Sequence, residues 1–374
     1  MIRRFYHNLL DWIPDKRALI VYGARRVGKT TLIDEFLKNT KLHYKVDSGD
    51  NIQIQQLLSS NDFSQIKEYA ENYDLIILDE AQNIQNIGQV IKIMVDQIPN
   101  LQVIATGSSS FAIQQQVGEP LTGRKRELIL FPLSLKELNN HFNRFEIKQQ
   151  LEDLLIFGSY PEIYTTLNKN TKKEYLEELV GSYLLKDILT LDKIRNSEKL
   201  YKLLSLIAFQ IGSEISVHEL SKQIKLDVKT IERYLDLLQK SFVIYKLPAI
   251  SKNPRKEITK KSKYYFLDNG VRNAVIKQFN TLNYRNDIGQ LWENFVLSER
   301  LKKLKYEQIY LNRYFWRTYQ QQEIDYVEEI EGELFAYEVK YKPQQVKLPK
   351  TFKDSYQPVK FETIHRENFL DFLL

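Results

Sequence analysis

A glycine-bounded loop near the start of the chain carries the residue types that bind the phosphates of a nucleotide. The stretch ALIVYGARRVGKTTLIDEFL, residues 18–37, has the spacing G-x-x-x-x-G-K-T, with Gly23 and Gly28 at the two ends of the loop. Glycines let backbone N–H groups curve around a phosphate, and the positive end of the following helix adds to the attraction. Lys29 is expected to reach the β- and γ-phosphates, and the Thr30 hydroxyl is expected to hold Mg²⁺. The residues predicted to bind nucleotide here are Gly23, Ala24, Arg25, Arg26, Val27, Gly28, Lys29, Thr30 and Thr31.

Two acids at the end of a second apolar stretch would complete a site for nucleotide hydrolysis. YDLIILDEAQ (73–82) is typical of a strand buried on both faces of a parallel sheet, and its apolar run ends in Asp79 and Glu80. Ligands of such sheets bind beyond the carboxyl ends of the strands. We predict that Asp79 organises the Mg²⁺ shell and that Glu80 polarises a water for attack on the γ-phosphate. Helix N-capping is the structural alternative for such a pair of acids, and the phosphate loop argues against it.

The elements that must position these residues follow a βαβ rhythm. Further strands are predicted at LHYKV (42–46), LQVIATG (101–107) and ELILFPL (127–133), with helical stretches between them. This alternation predicts an α/β domain with a doubly wound parallel sheet. The strand at 101–107 runs into three serines, so Ser108 is expected to point at the γ-phosphate from a neighbouring strand.

These motifs together resemble the AAA+ branch of P-loop ATPases, and in particular prokaryotic predicted ATPases whose loop reads G-x-R-R-x-G-K-T. The resemblance implies ATP and Mg²⁺ as cofactors and Ser108 as the sensor residue. It also implies that Arg124, in LTGRKREL, is an arginine finger that completes the site of a neighbouring subunit, so a homo-oligomer is expected. Arg126 is the competing choice for the finger, and a solvated basic loop is the ordinary alternative for either arginine.

The middle of the chain is predicted to be helical. Residues 134–195 resemble the helical lid that follows the sheet in these ATPases, with a glycine-x-x-proline turn at GSYPEI (158–163). Within 216–247 an S-x-x-E capping box opens a short helix, and a second helix capped by Asp227 follows after a tight turn. That is helix-turn-helix spacing. With the strand candidates on either side of the basic segment SKNPRKEITKKSK, residues 196–280 resemble a winged helix.

Polar and basic residues of this module are candidates for contacts with DNA phosphates. They are Lys225, Lys229, Thr230 and Arg233 near the second helix, and Arg255, Lys256, Lys260 and Lys261 in the wing. A net charge of +6 and a pI of about 9.0 permit nucleic acid as a partner without requiring it. The alternative has equal weight, because winged helices of AAA+ proteins often serve only in packing or oligomerisation.

An acid and a lysine share one face of a strand close to the end of the chain. ELFAYEVKY (333–341) carries Glu338 and Lys340, and the preceding strand brings Asp325 next to them. Glu293 lies on the helix before these strands. Three carboxylates and a lysine suit metal-assisted phosphodiester cleavage, in which the acids hold Mg²⁺ and the lysine orients or deprotonates water. Ordinary cross-strand charge pairing is the structural alternative.

The order helix, three strands, helix, strand over 281–374 resembles the PD-(D/E)XK, or restriction-endonuclease-like, fold. It also resembles the C-terminal domain that commonly follows this type of ATPase module. Many such domains are thought to have lost cleavage and to have kept only binding. The domain organisation expected is therefore an ATPase core over 1–133, a lid over 134–195, a winged helix over 196–280 and a nuclease-like domain over 281–374.

Composition narrows the remaining classes of protein. The chain has 374 residues, of which 43% are hydrophobic and 27% charged, so folded globular domains are expected. It has neither an apolar run near the ~20 residues of a membrane span nor a start that suits a signal peptide, so a cytoplasmic protein without a membrane partner is predicted. The absence of cysteine excludes disulfides, thiolate metal sites and cysteine nucleophiles.

The function expected from the sequence is hydrolysis of ATP by an AAA+ ATPase that acts on DNA, with Mg²⁺-dependent DNA cleavage as a finer hypothesis for the C-terminal domain. The alternative is a switch that does not cleave. In that interpretation the protein binds ATP and either DNA or a partner protein, and its C-terminal acids serve structure only.

Overall fold

The computed structural model of the chain describes residues 2–60, 62–108, 121–184, 197–251 and 262–374. The predicted wing residues Arg255, Lys256, Lys260 and Lys261 lie outside these ranges. Among the helices within them, none combines the length and the apolar character that a membrane span requires.

The first part of the chain builds a sheet of five parallel strands in the order β2-β3-β4-β1-β5. The strands are β1 (Ala18–Tyr22), β2 (Tyr44–Ser48), β3 (Leu75–Asp79), β4 (Gln102–Gly107) and β5 (Lys125–Ile129). The prediction of a parallel α/β sheet is confirmed. Because β4 lies between β1 and β3, the ends of the phosphate-loop strand, the acidic strand and the serine strand are neighbours.

Alternating side chains of these strands enter two separate cores. Leu19 and Val21 pack on one face of the sheet, while Ala18 and Ile20 pack on the other. Helices cover both faces, as the continuous apolar strands require. They are α1 (Lys29–Leu37), α2 (Ile52–Ser59), α3 (Phe63–Ala70) and α4 (Ile87–Gln97), with 3₁₀ turns at Leu9–Trp12 and Ala81–Asn83.

Short helices follow the sheet, as predicted for the segment after it. They are α5 (Leu135–Leu138), α6 (Arg144–Gln149), α7 (Leu151–Phe157), α8 (Pro161–Thr165) and α9 (Lys169–Glu178), and a π-helical turn covers Leu179–Leu184. Ser134 and Glu137 form a reciprocal capping box that starts α5. Pro161 begins α8, where its missing N–H leaves no intrahelical bond unmade.

A three-stranded antiparallel sheet and four helices form the next part. They are α10 (Ser197–Phe209), β6 (Glu214–Ile215), α11 (Val217–Ile224), α12 (Val228–Lys240), β7 (Ile244–Leu247), β8 (Ser262–Phe266) and α13 (Asn269–Val275), with β8 in the centre of the sheet. The Ser216 and Asp227 side chains accept bonds from backbone N–H groups at the starts of α11 and α12, where the sequence predicts caps.

The last part is a four-stranded mixed sheet behind a long helix, α14 (Ile288–Tyr306). The later elements are β9 (Asn312–Arg317), β10 (Glu323–Ile330), β11 (Glu333–Val339), α15 (Lys350–Tyr356), β12 (Lys360–Ile364) and α16 (Phe369–Leu373). The strand order is β12-β11-β10-β9, with β11 and β12 parallel and the other pairs antiparallel.

Helix α14 also packs against the beginning of the chain. The Glu299 carboxylate accepts from the Leu135 N–H at 2.7 Å, and the Lys302 ammonium donates to Glu299 at 2.6 Å and to the Leu133 carbonyl at 3.2 Å. The ring of Tyr306 stacks on Phe5 with centroids 4.8 Å apart. Glu299 and Lys302 are buried, so these bonds join the first and last parts of the chain through a shared interior.

Candidate functional site

The phosphate loop leaves β1 at Gly23 and enters α1 after Gly28. Gly28 has φ +95°, a conformation that side-chain-bearing residues rarely adopt, and a Cβ at Gly23 would collide with the backbone carbonyl of Leu130. Arg26 also has a positive φ, of 63°. The two glycines therefore permit the curve of the loop, one through its backbone conformation and one through its lack of a side chain.

Lys29 is the first residue of α1, and its side chain folds back into the loop. Its ammonium donates to the carbonyls of Gly23 at 2.9 Å and Ala24 at 3.2 Å, and the side chain is buried. A cation is thus held in the curve of the loop, at the positive end of a helix. This is the arrangement that binds the phosphates of a nucleotide.

Thr30 and Asp79 meet where a magnesium ion bound to those phosphates would lie. The Thr30 hydroxyl donates to Asp79 Oδ2 at 2.8 Å, and the Thr106 hydroxyl donates to Asp79 Oδ1. Hydroxyl and carboxylate oxygens are ligands that Mg²⁺ prefers, and it usually takes only one or two protein oxygens beside substrate phosphates and water. The residues present therefore fit a nucleotide-bound Mg²⁺.

Glu80 begins the turn after β3 with φ 47°. Its backbone N–H donates to Asp79 Oδ1 at 3.1 Å and to Thr106 Oγ1 at 3.2 Å. The Gln82 amide donates to the Glu80 carboxylate and lies 3.5 Å from Ser108 Oγ. A backbone held in this uncommon conformation fixes the direction of the Glu80 side chain at the sheet edge.

Sequence reasoning did not single out Thr106 or Gln82. Thr106 is a polar residue within an otherwise apolar strand, and Gln82 follows Asp79 and Glu80 closely in the motif DEAQ. Both signals were present, but their meaning depends on β4 being the neighbour of β3. That strand order cannot be read from the alternation of strands and helices.

A cavity of about 750 Å³ opens beside the phosphate loop. Its lining includes Arg4, Gly28, Thr31, Phe142 and Tyr164. Within the described part of the chain, the buried Tyr164 hydroxyl has no hydrogen-bond partner. The volume suits a small ligand, and aromatic walls with a few polar groups are typical of such a pocket.

The two arginine-finger candidates lie in different surroundings. Arg124 forms an ion pair with Asp96 at 2.6 Å, and 42% of its side chain is exposed. Arg126 stacks over Trp12 at 4.8 Å and donates to the Trp12 carbonyl and to Gln308. Contacts within its own chain thus engage Arg126 more fully than Arg124.

The exposed part of the helix-turn-helix segment carries three of its predicted basic residues. Lys225 ends α11 with φ 58°, and Lys229 and Arg233 are exposed on α12. The Thr230 hydroxyl donates to the Asp227 carboxylate at 2.6 Å, so Thr230 belongs to the helix cap. Hydrogen bonds from Thr230 lower the pKa of Asp227.

Asp325, Glu338 and Lys340 come together in the C-terminal sheet. The Lys340 ammonium lies 2.6 Å from Glu338 and 3.4 Å from Asp325, and Asp325 also accepts from the Val339 N–H at 2.8 Å. Burial, followed by the neighbouring Asp325, raises the pKa of Glu338. The predicted juxtaposition of these three residues is therefore present.

Glu293 is not part of a metal-binding group with these acids, and this prediction is corrected. It accepts from Lys263 at 3.2 Å and from the Tyr265 hydroxyl at 2.6 Å, and Lys263 also pairs with Glu323. In the ranges that the structure describes, no group of three histidine or acidic side chains could hold a metal ion. The charge of Glu293 is instead balanced by Lys263 of β8, and Asp325 influences the pKa values of both groups.

Burial and neighbouring charges act in opposite directions on both Glu293 and Lys263. Burial raises the pKa of Glu293 to about 7, against a smaller lowering by Lys263. Burial also lowers the pKa of Lys263, but Glu293, Asp325 and Glu323 together raise it further, so the net shift is upward. Lys263 is thus a buried cation held among acids of the C-terminal part. Its basic segment had been assigned to the wing by sequence, so this role was not predicted.

Three family models match successive parts of the chain. Residues 15–139 match the family model described as an AAA domain. Residues 148–282 match a domain of unknown function (DUF8612), and residues 288–367 match another (DUF4143). The five-stranded sheet and its phosphate loop therefore form an AAA-type ATPase domain.

Relatives at about one quarter identity extend over most of the chain. An uncharacterized protein of Methanocaldococcus jannaschii is 25% identical over 308 residues, which cover 77% of this chain and 67% of that protein. An uncharacterized protein of Haemophilus influenzae is 24% identical over 306 residues, which cover 76% of this chain and 74% of that protein.

Two solved structures show more distant likeness. One is a Signal Transduction ATPase with Numerous Domains protein with a tetratricopeptide repeat sensor from Pyrococcus horikoshii, at 16% identity and a TM-score of 0.25. The match covers 77% of this chain but only 44% of that protein, so this chain spans less than half of its length. The other is the RuvB Holliday junction branch migration motor of Thermotoga maritima, at 16% identity and a TM-score of 0.29, covering 65% of this chain and 87% of that one. At these scores neither protein describes the arrangement of this chain.

Proposed function

We propose that this protein is an ATP-hydrolysing switch of the AAA+ type that binds DNA and does not cut it. The observation that carries the ATPase part is the meeting of Thr30, Asp79 and Glu80 beside the phosphate loop, with Thr30 Oγ1 2.8 Å from Asp79 Oδ2. Thr30 lies on α1, whereas Asp79 and Glu80 lie at the end of β3, about fifty residues later in the chain. Their convergence beside a buried lysine supports phosphoryl transfer to water.

Each residue has a distinct task in this proposal. Lys29 binds the β- and γ-phosphates, and Thr30 and Asp79 hold Mg²⁺, which when bound neutralises charge on the phosphates. Glu80 accepts a proton from the attacking water, and the Gln82 amide orients the Glu80 carboxylate by donating a hydrogen bond to it. Ser108 senses the γ-phosphate through its hydroxyl. The adjacent cavity, with the Tyr164 hydroxyl in its wall, accommodates the nucleoside.

Glu80→Gln tests the assignment of the general base. We expect the rate of ATP hydrolysis to fall by about 10²- to 10⁴-fold, because the amide cannot accept the proton. The Kd for a non-hydrolysable ATP analogue should stay within about twofold of wild type, since the phosphate loop is intact. Steady-state hydrolysis and calorimetric titration measure the two effects.

The matched control is Glu71→Gln, an exposed glutamate at the end of α3, which should leave hydrolysis unchanged. A Glu80→Gln protein that hydrolyses ATP at the wild-type rate would remove Glu80 from the mechanism.

A homo-oligomer with Arg124 as its finger is part of the proposal. Arg124 precedes β5, whereas the phosphate loop follows β1, and these strands are parallel. The two features thus lie at opposite ends of a strand of about 17 Å. This separation supports the proposal that Arg124 acts on the nucleotide of a neighbouring subunit and not on that of its own. The engagement of Arg126 with Trp12 favours Arg124 over Arg126.

The DNA-binding part rests on the helix-turn-helix segment, which we interpret as a winged helix. Its order of elements is helix, strand, two helices and two strands, with β8 central in the antiparallel sheet. Lys229 and Arg233 are exposed on one turn of α12 and offer cations to phosphates. Hydrogen bonding of Thr230 to Asp227 removes Thr230 from this surface.

Removing the charges of α12 tests this interpretation. The double variant Lys229→Ala/Arg233→Ala should weaken binding to duplex DNA at every sequence and reduce the slope of log K against log salt concentration by about 2. Fluorescence anisotropy over a salt series measures it. Lys240→Ala, at the other end of α12 and paired with Asp236, is the control that should leave the slope unchanged. An unchanged slope in the double variant would assign this module to packing.

Absence of cleavage is proposed because lysines already satisfy the acids of the C-terminal part. Lys340 pairs with Asp325 and Glu338, and Lys263 pairs with Glu293. The convergence of Asp325, Glu338 and Lys340 keeps metal-dependent cleavage as the second candidate. Incubation of supercoiled DNA with the protein and Mg²⁺ or Mn²⁺ should leave the DNA intact. If the wild type nicks the DNA and Glu338→Ala does not, cleavage is established instead.

A further inference from the structure

Arg4 connects the start of the chain to the phosphate loop. Its guanidinium donates to the backbone carbonyl of Val27, to the carbonyl of Phe131 at 2.6 Å and to Glu137 Oε1 at 2.8 Å. It also lies in the wall of the cavity beside Gly28. Three partners from two separate segments therefore hold one side chain at the edge of the nucleotide site.

The bond to Val27 has a directional consequence. In a trans peptide, the carbonyl oxygen of Val27 and the N–H of Gly28 point to opposite sides of one planar unit. The structure contains no cis peptide bond in its described residues. Because Arg4 holds the carbonyl on its own side, the Gly28 N–H is turned away from Arg4. Backbone N–H groups of this loop are the donors that bind phosphate.

The anchor behind Arg4 is rigid. Glu137 is fully buried, and besides Arg4 it accepts from the Phe5 N–H at 2.9 Å and from the Ser134 N–H at 2.8 Å. Burial lowers the pKa of Arg4, but Glu137 and Tyr306 together raise it by more, so the guanidinium stays charged. A charged, planar group with three fixed partners has little freedom to rotate.

We infer that Arg4 is a positioning residue of the nucleotide site, which aims the Gly28 N–H at the phosphates by holding the Val27 carbonyl. The inference rests on the proposed binding of ATP. Sequence reasoning had no access to it, because Arg4 precedes the first strand and none of its partners is near it in the chain.

Arg4→Lys keeps the positive charge but loses the planar guanidinium that contacts three partners. It therefore tests whether Arg4 orients the Gly28 N–H. Loss of a charge-assisted hydrogen bond at the loop should weaken the binding of ADP and of a non-hydrolysable ATP analogue about tenfold. AMP has no β-phosphate to meet the loop, so its Kd should stay within about twofold. Competition against a fluorescent nucleotide gives the three affinities.

Three results would overturn parts of this account, each in a distinct way. Wild-type protein that binds neither ADP nor the ATP analogue contradicts the proposed function itself. If the wild type binds them and Arg4→Lys binds ADP equally well, the positioning role alone is wrong. If Arg4→Lys loses as much affinity for AMP as for ADP, Arg4 supports the cavity or the fold in general and does not orient the phosphate loop.

A second variant covers the case in which the single change unfolds the protein. Arg4→Gln/Glu137→Gln removes both buried charges together, so neither is left unpaired. Its melting temperature verifies folding, and it should show the same selective loss of ADP affinity. A folded double variant with wild-type ADP affinity contradicts the inference. Arg17→Gln, an exposed arginine just before β1, is the matched control and should change none of the affinities.

Discussion

Lys29→Ala is expected to lower the rate of ATP hydrolysis by at least about 100-fold, since it removes a preorganised charge from the transferred phosphoryl group. The ammonium is buried and is held within the loop by the carbonyls of Gly23 and Ala24. Alanine also removes the point charge that binds the β- and γ-phosphates, so the affinity for ATP should fall as well. Phosphate release under saturating ATP and Mg²⁺ measures the rate.

The control for this change is Lys38→Ala, which removes an exposed lysine that pairs with Glu35 just after α1. It should hydrolyse ATP as the wild type does. The melting temperature of Lys29→Ala must also be recorded, because two loop carbonyls lose a donor. Normal hydrolysis by a folded Lys29→Ala protein would contradict the ATPase assignment.

Lys263→Met is expected to lower the free energy of unfolding by about 3–5 kcal/mol at pH 8.5, because it leaves buried acids without their cation. Lys263 is fully buried and contacts Glu293 and Glu323. Methionine fills a similar volume, so the loss reflects charge more than packing. Urea unfolding followed by far-ultraviolet circular dichroism measures the difference.

The deficit should shrink in acid, and the sign follows from Glu293. Burial raises its folded pKa from 4.5 to about 7, so its ionisation opposes folding as the pH rises from about 4.5 to 7, with the full effect above 7. Loss of Lys263 raises that pKa further. At pH 5.5 the Glu293 carboxyl of the variant is protonated and needs no cation, so less stability is lost.

Two further variants test whether the lost stability comes from the charge of Lys263. Lys263→Met/Glu293→Gln should regain part of the lost stability at pH 8.5. Lys246→Met, on the neighbouring strand β7 but exposed, should change stability by less than about 0.5 kcal/mol. An equal loss at pH 5.5 and 8.5 would show that packing, and not charge, explains the effect.

Local patterns were sufficient to predict which residues lie together near the phosphate loop, because these residues belong to contiguous motifs. The apolar run before Asp79 indicated a buried parallel strand, and such strands end at one edge of a sheet. That rule alone brought Asp79, Glu80 and Ser108 toward the phosphate loop. The boundaries were less accurate: a predicted strand at 127–133 is observed at Lys125–Ile129.

Contacts between distant segments could not be predicted in the same way. Thr106 meets Asp79 only because β4 is inserted between β1 and β3. Arg4 meets Val27 because the start of the chain folds over the loop. Glu293 was expected to bind a metal ion with Asp325, but it pairs with Lys263 of β8, and sequence alone did not indicate this lysine. The sequence around Thr106, Arg4 and Glu293 does not indicate which distant residues they contact, because those contacts depend on the tertiary structure.

The buried bonds of α14 determine how the protein can be dissected. Glu299 and Lys302 form hydrogen bonds with the backbone of Leu133 and Leu135, which follow the five-stranded sheet. Truncation between 282 and 288 would therefore expose this acid and this lysine together with the apolar surface around them. Neither fragment would then keep its native solubility. Assays of nucleotide hydrolysis or DNA binding on separate fragments would therefore measure misfolded or aggregated protein. Only the intact chain can show how its first and last parts affect one another.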